Sequence, residues 1–398
     1  MSLPTSDIAN LELADAGLKR IEWARTHMPI MRSITERFAK EKPFEGLKIA
    51  ICLHVEAKTG VWLEALTAGG ADIFLTGSPG STQDETAAAL VRDMGVHVFS
   101  HRSETFEDHL GYCERIMECE PDLIADNGGD LHALMFEKEQ FKHLQNKILG
   151  ATEETTSGAN RLRAEGWEGH FPTLVINDTE SKRIVENRFG VGSSVVDGIM
   201  RATNVLLHGK RIAVVGYGYC GSGTAQRLRG MGAHVTVVET NKLTRLEAHL
   251  EGFETATLEE VLPSADMVIT VVGKDDILRK HHFELMKPNT IIANAGHFAS
   301  EISVPELREL SDSEYKIRDH VTCFDMGDKK VFLLSDGNLV NLSAGDGNPI
   351  EIMDLGLALQ SLSLEHLVKK EGQSSKTAQC VPVEVESFVA SLTVQHWI

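Results

Sequence analysis

Three glycines in the segment VVGYGYCGSG have the spacing of a dinucleotide-binding turn. Gly216, Gly218 and Gly221 form the pattern G-x-G-x-x-G directly after an apolar run and at the start of a predicted helix. Such glycines allow the backbone to approach a pyrophosphate, which binds at the helix N-terminus because unpaired N–H groups and the helix dipole favour anions. Glu239 closes the next apolar run, where a carboxylate accepts ribose hydroxyls and repels a 2′-phosphate. The pattern predicts that NAD binds in preference to NADP.

Four clusters of polar residues follow apolar runs in the first half of the chain. They are His54, Glu56, Lys58 and Thr59; Ser81, Thr82, Gln83 and Asp84; Asp126, Asn127 and Asp130; and Glu153, Glu154, Thr155 and Thr156. Taken singly, each cluster is as typical of a helix cap, a tight turn or a buried histidine as of a ligand site. Because doubly wound sheets bind ligands at the carboxyl ends of their strands, we expect the four clusters to meet in one crevice.

Two further groups of polar residues lie closer to the glycine pattern. Lys182, Glu186 and Asn187 are found in NDTESKRIVENRFG, and a lysine and a carboxylate four residues apart on a surface helix usually form only a weak ion pair. His297 ends a later apolar run, on the side expected to face the nicotinamide. A histidine there can position a carbonyl or relay a proton, so we take His297 as a candidate catalytic residue.

The elements that position these residues follow from the hydrophobic period. Helical spacing covers roughly the first 45 residues, after which short apolar runs alternate with helix-length stretches, a pattern typical of parallel strands joined by crossover helices. The runs are LKIAICLHVE, ADIFLTGS, VHVFSH, DLIADN, KILGATEE and TLVIND, and then, from Gly209 onward, RIAVVGYG, HVTVVE, MVITVVG and TIIANAG.

The sequence therefore predicts an α/β protein with two doubly wound domains. We expect a substrate-binding domain that begins with residues 1–188, a Rossmann NAD-binding domain over 189–347, and C-terminal helices over 348–398 that return to the substrate domain. The apolar segment IEIMDLGLALQSLSLEHLVKK is the predicted return helix, and the polar stretch EGQSSKTAQ near residue 375 is predicted to be a mobile loop.

Composition narrows the classes of protein further. The formal net charge is −19 and the sequence pI is about 5.3, which argues against nucleic-acid binding. No apolar run reaches the roughly 18 residues of a membrane span, and the N-terminus does not have the pattern of a signal peptide. The six cysteines are scattered without a CxxC pair, so we expect a reduced, cytoplasmic protein without a disulfide framework or a protein-bound metal.

From residue 45 to 370 the sequence resembles the S-adenosylhomocysteine hydrolase (adenosylhomocysteinase) family. The segments that carry the resemblance, in order, are STQDETAAAL, DNGGDL, EETTSGANRL, SSVVDGIMRATN, GKRIAVVGYGYCGSG, NAGHF and LVNLSAGDGNP. The resemblance implies tightly held NAD, a purine nucleoside or nucleosidyl homocysteine as substrate, and a homo-oligomer, either a dimer or a tetramer. It also implies oxidation of the ribose C3′ hydroxyl, which makes elimination of the C5′ thioether and addition of water accessible.

The resemblance assigns roles to individual residues. Lys182 and Glu186 would manage the C3′ hydroxyl proton, and His54 would act in elimination and hydration. The candidate catalytic residues are His54, Asn127, Lys182, Glu186 and His297; the candidate substrate-binding residues are Glu56, Lys58, Thr59, Asp130, Glu154, Thr155 and Asn348; the candidate cofactor-binding residues are Asn187, Gly216, Gly218, Gly221, Glu239, Asn294 and Asn341. In this assignment Glu154 and Thr155 bind ribose, and His297 and Asn341 line the nicotinamide.

Several positions depart from the family pattern. Asn127 stands where the family usually has an aspartate that assists proton transfer, and an amide cannot accept a proton at neutral pH. Glu186 stands where the family usually has an aspartate, and Val191 stands where it often has a cysteine. Asn348 stands where the family has the histidine expected to close over the purine. The long C-terminal tail of many members is also absent. We therefore expect hydride transfer at C3′ to be retained. The departures concern the hydrolysis step and the recognition of the purine base.

These observations leave three candidate functions. The first is an NAD-dependent enzyme that reversibly cleaves S-adenosylhomocysteine or S-inosylhomocysteine to nucleoside and homocysteine. The second, motivated by Asn127 and Asn348, is an NAD-dependent nucleoside C3′ oxidoreductase or epimerase of specialised metabolism that has lost hydrolysis. The third is a catalytically silent NAD- or nucleoside-binding protein. Four retained residues argue against it: Lys182, His54, Glu154 and His297.

Overall fold

A computed structural model describes residues 6–371 and 374–398. The chain divides into two compact units, unit 1 comprising residues 1–182 and 350–398 and unit 2 comprising residues 183–349. Among the described residues, no helix is both long and apolar enough to cross a membrane.

The elements of the first part of unit 1 alternate as the apolar runs predict. The strands are β1 (Lys48–Cys52), β2 (Asp72–Thr76), β3 (His97–Phe99), β4 (Leu123–Asp126), β5 (Gly150–Glu153) and β6 (Thr173–Val175). The helices are α1 (Ala14–Thr26), α2 (Pro29–Glu41), α3 (Ala57–Ala68), α4 (Asp84–Met94), α5 (Phe106–Met117), α6 (Asp130–Glu137) and α7 (Thr156–Ala164). Short 3₁₀ helices lie at Leu11–Leu13, Glu139–Asn146 and Ile176–Asp178, and a π-helix spans Lys182–Gly190.

Unit 2 and the C-terminal return contain the remaining elements. The strands of unit 2 are β7 (Arg211–Val215), β8 (His234–Val238), β9 (Glu254–Ala256), β10 (Met267–Thr270), β11 (Thr290–Asn294), β12 (Ser313–Arg318), β13 (Val321–Asp325) and β14 (Lys330–Leu334). Its helices are α8 (Val191–Thr203), α9 (Tyr219–Gly230), α10 (Lys242–Leu250), α11 (Leu258–Val261), α12 (Lys280–Leu285), α13 (Val304–Glu309) and α14 (Val340–Ser343), with 3₁₀ turns at Ala299–Glu301 and Ser335–Gly337. The return consists of α15 (Ile350–Lys369), β15 (Ala378–Cys380) and α16 (Val383–Trp397).

The sheet of unit 1 is parallel throughout its described strands, in the order β15-β6-β5-β4-β1-β2-β3. Its buried strands are nearly continuous apolar runs, as expected for a sheet covered on both faces. The return helix α15 packs against α2, α3 and β5. Each of the ten apolar runs contains a strand, and the predicted fold class is confirmed.

The sheet of unit 2 has the order β12-β13-β14-β11-β10-β7-β8-β9. Strands β7 to β11 and β14 pair in parallel, whereas β12, β13 and β14 pair antiparallel with one another. The sequence reasoning missed this antiparallel edge. All residues of β12 are exposed, and its apolar residues Tyr315 and Ile317 alternate with charged residues instead of forming an apolar run.

The prediction of a mobile loop near residue 375 is wrong at its C-terminal end. Ala378–Cys380 forms β15, which pairs in parallel with β6 at the edge of the sheet. The Ala378 N–H also donates to the Glu168 carboxylate at 2.8 Å. A three-residue polar edge strand is held by such backbone bonds and has no hydrophobic period to reveal it. Residues 372 and 373 lie outside the described residues.

The return helix also caps a helix near the N-terminus. Helix α2 begins at Pro29 after Met28, whose thioether is a poor acceptor for the free N–H groups of a first turn. Asp354 of α15 supplies the missing acceptor, with its two oxygens 2.9 Å from the Ile30 nitrogen and 2.7 Å from the Met31 nitrogen. Burial raises the pKa of the Asp354 carboxyl to about 7.

We predict that Asp354→Asn reduces the pH dependence of stability. The folded-state pKa lies above the ordinary value of about 3.9, so the stabilisation from proton uptake is complete at low pH and is lost as the pH rises through 7. Chemical unfolding followed by circular dichroism at several pH values measures this loss. The control is Glu107→Gln, an exposed carboxylate on α5. Identical pH profiles for the wild type and Asp354→Asn would contradict the assignment.

Candidate active site and cofactor site

Because the sheet of unit 1 is parallel, the carboxyl ends of its strands lie along one edge. Strands β4 and β5 are neighbours and end in register, with Asp126 opposite Glu153. The candidate residues Asn127 and Glu154 follow these strand ends directly, and His54 follows the end of β1, which pairs with β4 on its other side. The cluster that begins at Ser81 follows β2, which pairs with β1, and the Gln83 N–H donates to the Val55 carbonyl at 2.8 Å. All four polar clusters therefore follow the ends of neighbouring strands.

Lys182 and Glu154 form a buried ion pair in unit 1. The Lys182 Nζ contacts Glu154 Oε1, and both side chains are more than nine-tenths buried. Gln360 of α15 donates from Nε2 to the other oxygen of Glu154 at 2.5 Å. Lys182 therefore does not take part in a surface ion pair, and the segment that begins with it is a π-helix rather than an α-helix. Such π-helical turns are rare and occur often at functional sites.

Asn127 is the most informative of the departures from the family pattern. Its side chain is buried, with 3% of the residue exposed, and its backbone N–H donates to Asp126 Oδ1 at 2.9 Å. Neither its amide oxygen nor its amide nitrogen has a hydrogen-bond partner in the part of the chain that the structure describes. A buried unsatisfied polar group costs about 1–3 kcal/mol, so this amide is a candidate for contact with a polar ligand.

Glu153 joins the Asn127 turn to the Thr155 turn. One oxygen of its carboxylate accepts from the Gly128 N–H at 3.0 Å, the Thr155 N–H at 2.8 Å and the Thr155 hydroxyl at 2.7 Å. Complete burial, together with the charge of Asp126, raises the pKa of Glu153 well above its ordinary value. The carboxyl group thus fixes the relative position of two candidate ligand-binding turns.

Further residues support this edge of the sheet. His132 contributes Nδ1 and its backbone N–H to Asp126 Oδ2, at 2.7 and 3.0 Å. Asp130 contacts His109 Nε2 at 3.1 Å and Arg161 at 2.8 Å through its two oxygens. Sequence reasoning missed His109, His132, Arg161 and Gln360 as supporting residues. In the sequence, only their polar or charged side chains set these residues apart, because the tertiary fold brings each of them to its partner.

Glu56 and Lys58 form a second buried ion pair at the start of α3. The Lys58 Nζ lies 2.5 Å from Glu56 Oε2, and both side chains are at least nine-tenths buried. The hydroxyl of Thr59 donates to the His54 carbonyl at 2.7 Å, which fixes the turn that carries His54. The pair places a hydrogen-bond donor and an acceptor side by side.

The glycine pattern of unit 2 has the geometry that a dinucleotide requires. Gly216 has φ +102°, and a Cβ added there would lie 2.6 Å from the Val271 carbonyl oxygen. A Cβ on Gly221 would lie 2.1 Å from the Gly216 carbonyl oxygen. At Gly218, by contrast, no described atom outside its chain neighbours lies within 4 Å of an added Cβ. Two glycines are thus required by packing, and the third leaves open space at the N-terminus of α9.

Glu239 and Asn294 organise the loops around this space. The Glu239 carboxylate accepts from the Tyr217 N–H at 3.0 Å and the Asn241 N–H at 2.7 Å. The Asn294 side chain accepts from the Gly296 N–H and donates to backbone carbonyls, among them that of Gly337 at 2.9 Å. Asn294 is therefore placed to position the loop that carries His297.

The remaining candidates of unit 2 include a hydrogen-bonded chain of side chains. Asn341 Nδ2 donates to Ser194 Oγ at 3.2 Å, Ser194 Oγ donates to Asn348 Oδ1 at 3.1 Å, and Asn348 Nδ2 donates to Glu186 Oε1 at 3.2 Å. The Asn341 Oδ1 atom is buried and has no partner among the described residues. Asn187 and His297 are half-buried, and the His297 ring meets the Phe298 ring edge-on with centroids 4.9 Å apart.

Comparison with known proteins places these features in one family. A family model described as the S-adenosyl-L-homocysteine hydrolase NAD binding domain matches residues 187–347, and one described as S-adenosyl-L-homocysteine hydrolase matches residues 5–140. The adenosylhomocysteinase of Aquifex aeolicus is 44% identical over 97% of this chain and 93% of that protein. The chain belongs to the S-adenosyl-L-homocysteine hydrolase family. The family's domain assignment and the glycine geometry agree on NAD as the cofactor.

Other relatives in the family carry a different substrate name. The S-inosyl-L-homocysteine hydrolase of Methanopyrus kandleri is 45% identical over 98% of this chain and 92% of that protein. Among solved structures, a dipicolinate synthase chain of Bacillus halodurans matches 82% of this chain and 99% of its own length, with a TM-score of 0.52 and 15% identity. That match shows the fold alone.

We predict that Gly218→Val and Gly216→Val fail for different reasons. Gly218→Val leaves the melting temperature of the NAD-free protein nearly unchanged, because the added side chain enters open space, but it strongly reduces the NAD that copurifies. Gly216→Val destabilises unit 2 by about 1–3 kcal/mol or more, because of the positive φ and the Val271 contact. Extraction of bound nucleotide and thermal denaturation measure the two effects. Full NAD content in a folded Gly218→Val protein would contradict the assignment.

Proposed function

We propose that this protein is an NAD-dependent enzyme that reversibly cleaves the C5′ thioether of S-adenosylhomocysteine or S-inosylhomocysteine, giving a nucleoside and homocysteine. Its family and the names of its relatives support the reaction class. The observation that carries the proposal is the buried pair of Lys182 and Glu154 beside the end of β5. It provides a charged donor and a carboxylate where a ribose is expected to bind.

The chemistry explains why such residues are needed. A thioether is a poor leaving group until the C3′ hydroxyl is oxidised to a ketone, because the ketone acidifies the C4′ proton. When bound, NAD supplies the hydride-accepting and hydride-returning chemistry at C3′, held by Gly216, Gly218, Gly221 and Glu239. The protein itself has to bind the ribose hydroxyls and hold or move protons at C3′, C4′ and the leaving sulfur.

The Lys182 and Glu154 pair suits the ribose hydroxyls. Each oxygen of Glu154 has a protein donor, yet a carboxylate oxygen can accept a second hydrogen bond, so Glu154 can bind a ribose hydroxyl while Lys182 and Gln360 hold it in place. Lys182 then exchanges the C3′ hydroxyl proton, with Glu186 as the carboxylate that the resemblance assigns to the same step. Thr155, fixed by Glu153, is the second proposed ribose contact.

The roles of Asn127 and His54 differ from the usual family pattern, in which an aspartate at the position of Asn127 assists proton transfer. An amide can donate and accept hydrogen bonds but cannot take up a proton at neutral pH. We therefore assign orientation of the substrate to Asn127, whose amide atoms lack partners in the described chain, and proton transfer in elimination and hydration to His54. His297 and Asn341 are proposed to line the nicotinamide, with Asn187 nearby.

The Glu56 and Lys58 pair is proposed to read the Watson–Crick edge of the purine. Adenine presents an acceptor at N1 and a donor at C6, whereas hypoxanthine presents a donor at N1 and an acceptor at C6. A carboxylate beside an ammonium complements either base, with the two contacts exchanged. This pair is consistent with a protein whose relatives carry both substrate names. Thr59 and Asp130 support the turns around the base and ribose, and Asn348 is the remaining candidate for the purine.

We further propose a cytoplasmic homo-oligomer, a dimer or a tetramer, without a nucleic-acid partner. The net charge of −19 opposes binding to a phosphate backbone. Helix α10 exposes Leu243 and Leu250 by 76% and 77%, which is unusual for leucine on a free surface and favours contact with another copy. Light scattering on the purified protein tests the oligomeric state.

The alternative function, C3′ oxidation or epimerisation without elimination, has a specific motive in Asn127. The relatives over nearly the full chain are named as hydrolases, which does not favour this alternative. It predicts exchange of hydrogen at C3′ without release of a thiol.

We predict that Lys182→Met strongly lowers the rate of oxidation at C3′ and also weakens nucleoside binding, because it leaves the buried Glu154 carboxylate without its ammonium partner. Loss of a group that manages a proton lowers the rate about 10² to 10⁴-fold, and methionine preserves the packing of the lysine stem. The assay follows bound NADH by absorbance and homocysteine by thiol titration, with S-adenosylhomocysteine and S-inosylhomocysteine in parallel. Lys147→Met, at a half-exposed lysine paired with Glu120, is the control. Wild-type NADH formation in Lys182→Met would remove Lys182 from the mechanism.

We predict that Asn127→Asp changes thiol release only modestly if His54 carries the proton, and that His54→Asn reduces it about 10² to 10⁴-fold. Deuterium exchange at C3′ and C4′ of adenosine is measured alongside thiol release. Exchange at C3′ without thiol release in the unmutated protein, together with a large gain of release in Asn127→Asp, would support the epimerase-type alternative and contradict the hydrolase.

A further inference from the structure

Glu301 is a buried acidic residue of unit 2 to which the proposed function assigns no role. It is the last residue of the 3₁₀ turn Ala299–Glu301, which follows β11, and it is fully buried. Its Oε2 accepts from the Val272 N–H at 3.1 Å and its Oε1 from the Gly273 N–H at 2.5 Å. Burial raises the pKa of the Glu301 carboxyl, and the two N–H donors oppose that rise. Both oxygens thus serve as acceptors for the loop that follows β10.

The same carboxylate also packs against the loop that follows β11. A Cβ added to Gly296 would lie 1.6 Å from Glu301 Oε1, so only glycine fits at this position while the carboxylate is in place. The Gly296 N–H donates to Asn294 Oδ1 at 2.8 Å, and the next residue along the chain is His297. The Glu301 side chain therefore contacts two loops at once, one after β10 and one after β11.

Backbone hydrogen bonds join the same two loops further along the chain. The Leu278 N–H donates to the Glu301 carbonyl at 2.9 Å, and the Asp276 N–H donates to the Ser300 carbonyl at 2.8 Å. The segment 272–278 is therefore held at its beginning by the side chain of Glu301 and at its end by the main chain of the same residue.

The strand order shows which half of a dinucleotide these loops face. The parallel strands of unit 2 lie in the order β9-β8-β7-β10-β11-β14, which is the Rossmann order of third, second, first, fourth, fifth and sixth strand, and each half of such a domain binds one mononucleotide. The glycine turn follows β7, and Glu239 follows β8, so the first half takes the adenosine side. The loops that Glu301 contacts belong to the second half, where the nicotinamide mononucleotide binds.

We propose that Glu301 is a positioning residue for the nicotinamide half of NAD. It acts through the backbone of the two loops, which it holds in the arrangement that binds the cofactor. Because the affinity for a ligand falls with the fraction of molecules whose site is correctly arranged, a residue that fixes both loops strengthens binding without touching the ligand. The inference rests on NAD as the cofactor of this family and not on which thioether the protein cleaves.

Calorimetric titration of the nucleotide-free, full-length protein with NAD and with ADP tests this role, since ADP lacks the nicotinamide half. Glu301→Gln preserves the shape of the side chain but leaves one acceptor oxygen for two N–H donors. We expect the affinity for NAD to fall about 10-fold or more and the affinity for ADP to stay nearly unchanged. The control is Glu309→Gln, at an exposed residue of α13, which should change neither affinity. Equal losses for NAD and ADP, or no loss for either, would overturn the proposal.

A second variant tests the contact between Glu301 and the loop after β11. Gly296→Ala places a methyl group against the Glu301 carboxylate and should also weaken NAD binding while ADP binding is retained. In a Glu301→Ala background the same change should cost less, because the carboxylate that it meets is gone and the two effects are not additive. Equal costs in both backgrounds would contradict the contact. If the Glu301 variants do not fold, the comparison of NAD with ADP in Gly296→Ala decides, and equal losses there overturn the proposal.

Discussion

The candidate active site depends on one buried carboxylate, that of Glu154 at the end of β5, which must be paired with hydrogen-bond donors. An unpaired charge in the interior costs several kcal/mol, and here Lys182 and Gln360 hold the two oxygens. These partners come from the segment that leaves unit 1 and from the helix that returns to it. The hydrogen bond from Gln360 to Glu154 therefore shows one role of the return helix α15 in unit 1, which is to pair this buried carboxylate.

Polar groups with and without hydrogen-bond partners lie side by side at the ends of β4 and β5. Glu153 and Asp126 each bind several donors of neighbouring turns, so their role is to hold the backbone in place. Asn127 directly follows Asp126 at the strand end, yet both atoms of its amide lack partners in the described chain. The second oxygen of Glu153 also lacks a partner among the described residues. Because buried polar groups without a partner are rare in folded proteins, these atoms support the proposal that a polar ligand binds at this strand end.

Much of the fold could be predicted from the sequence because the strands of both sheets are short, apolar and separated by helices. The dinucleotide-binding turn could also be predicted, because its glycines are close together in the sequence. The exposed strand β12, the edge strand β15 and the π-helix at Lys182 could not be predicted, because backbone pairing and tertiary packing determine them. The same reason applies to Gln360 and His132, which are ordinary helix residues until the fold places them beside Glu154 and Asp126.

Two of the departures from the family pattern are coupled in the structure. Glu186 is one methylene longer than the usual aspartate, and Asn348 is shorter than the usual histidine. Their side chains meet, with Asn348 Nδ2 3.2 Å from Glu186 Oε1, so the longer carboxylate reaches the shorter amide. Because an amide does not titrate near neutral pH, as a histidine does, the Asn348 side chain does not change its charge across the physiological range. The structure thus shows that two of the positions at which the sequence departs from the pattern of the family it resembles contact each other.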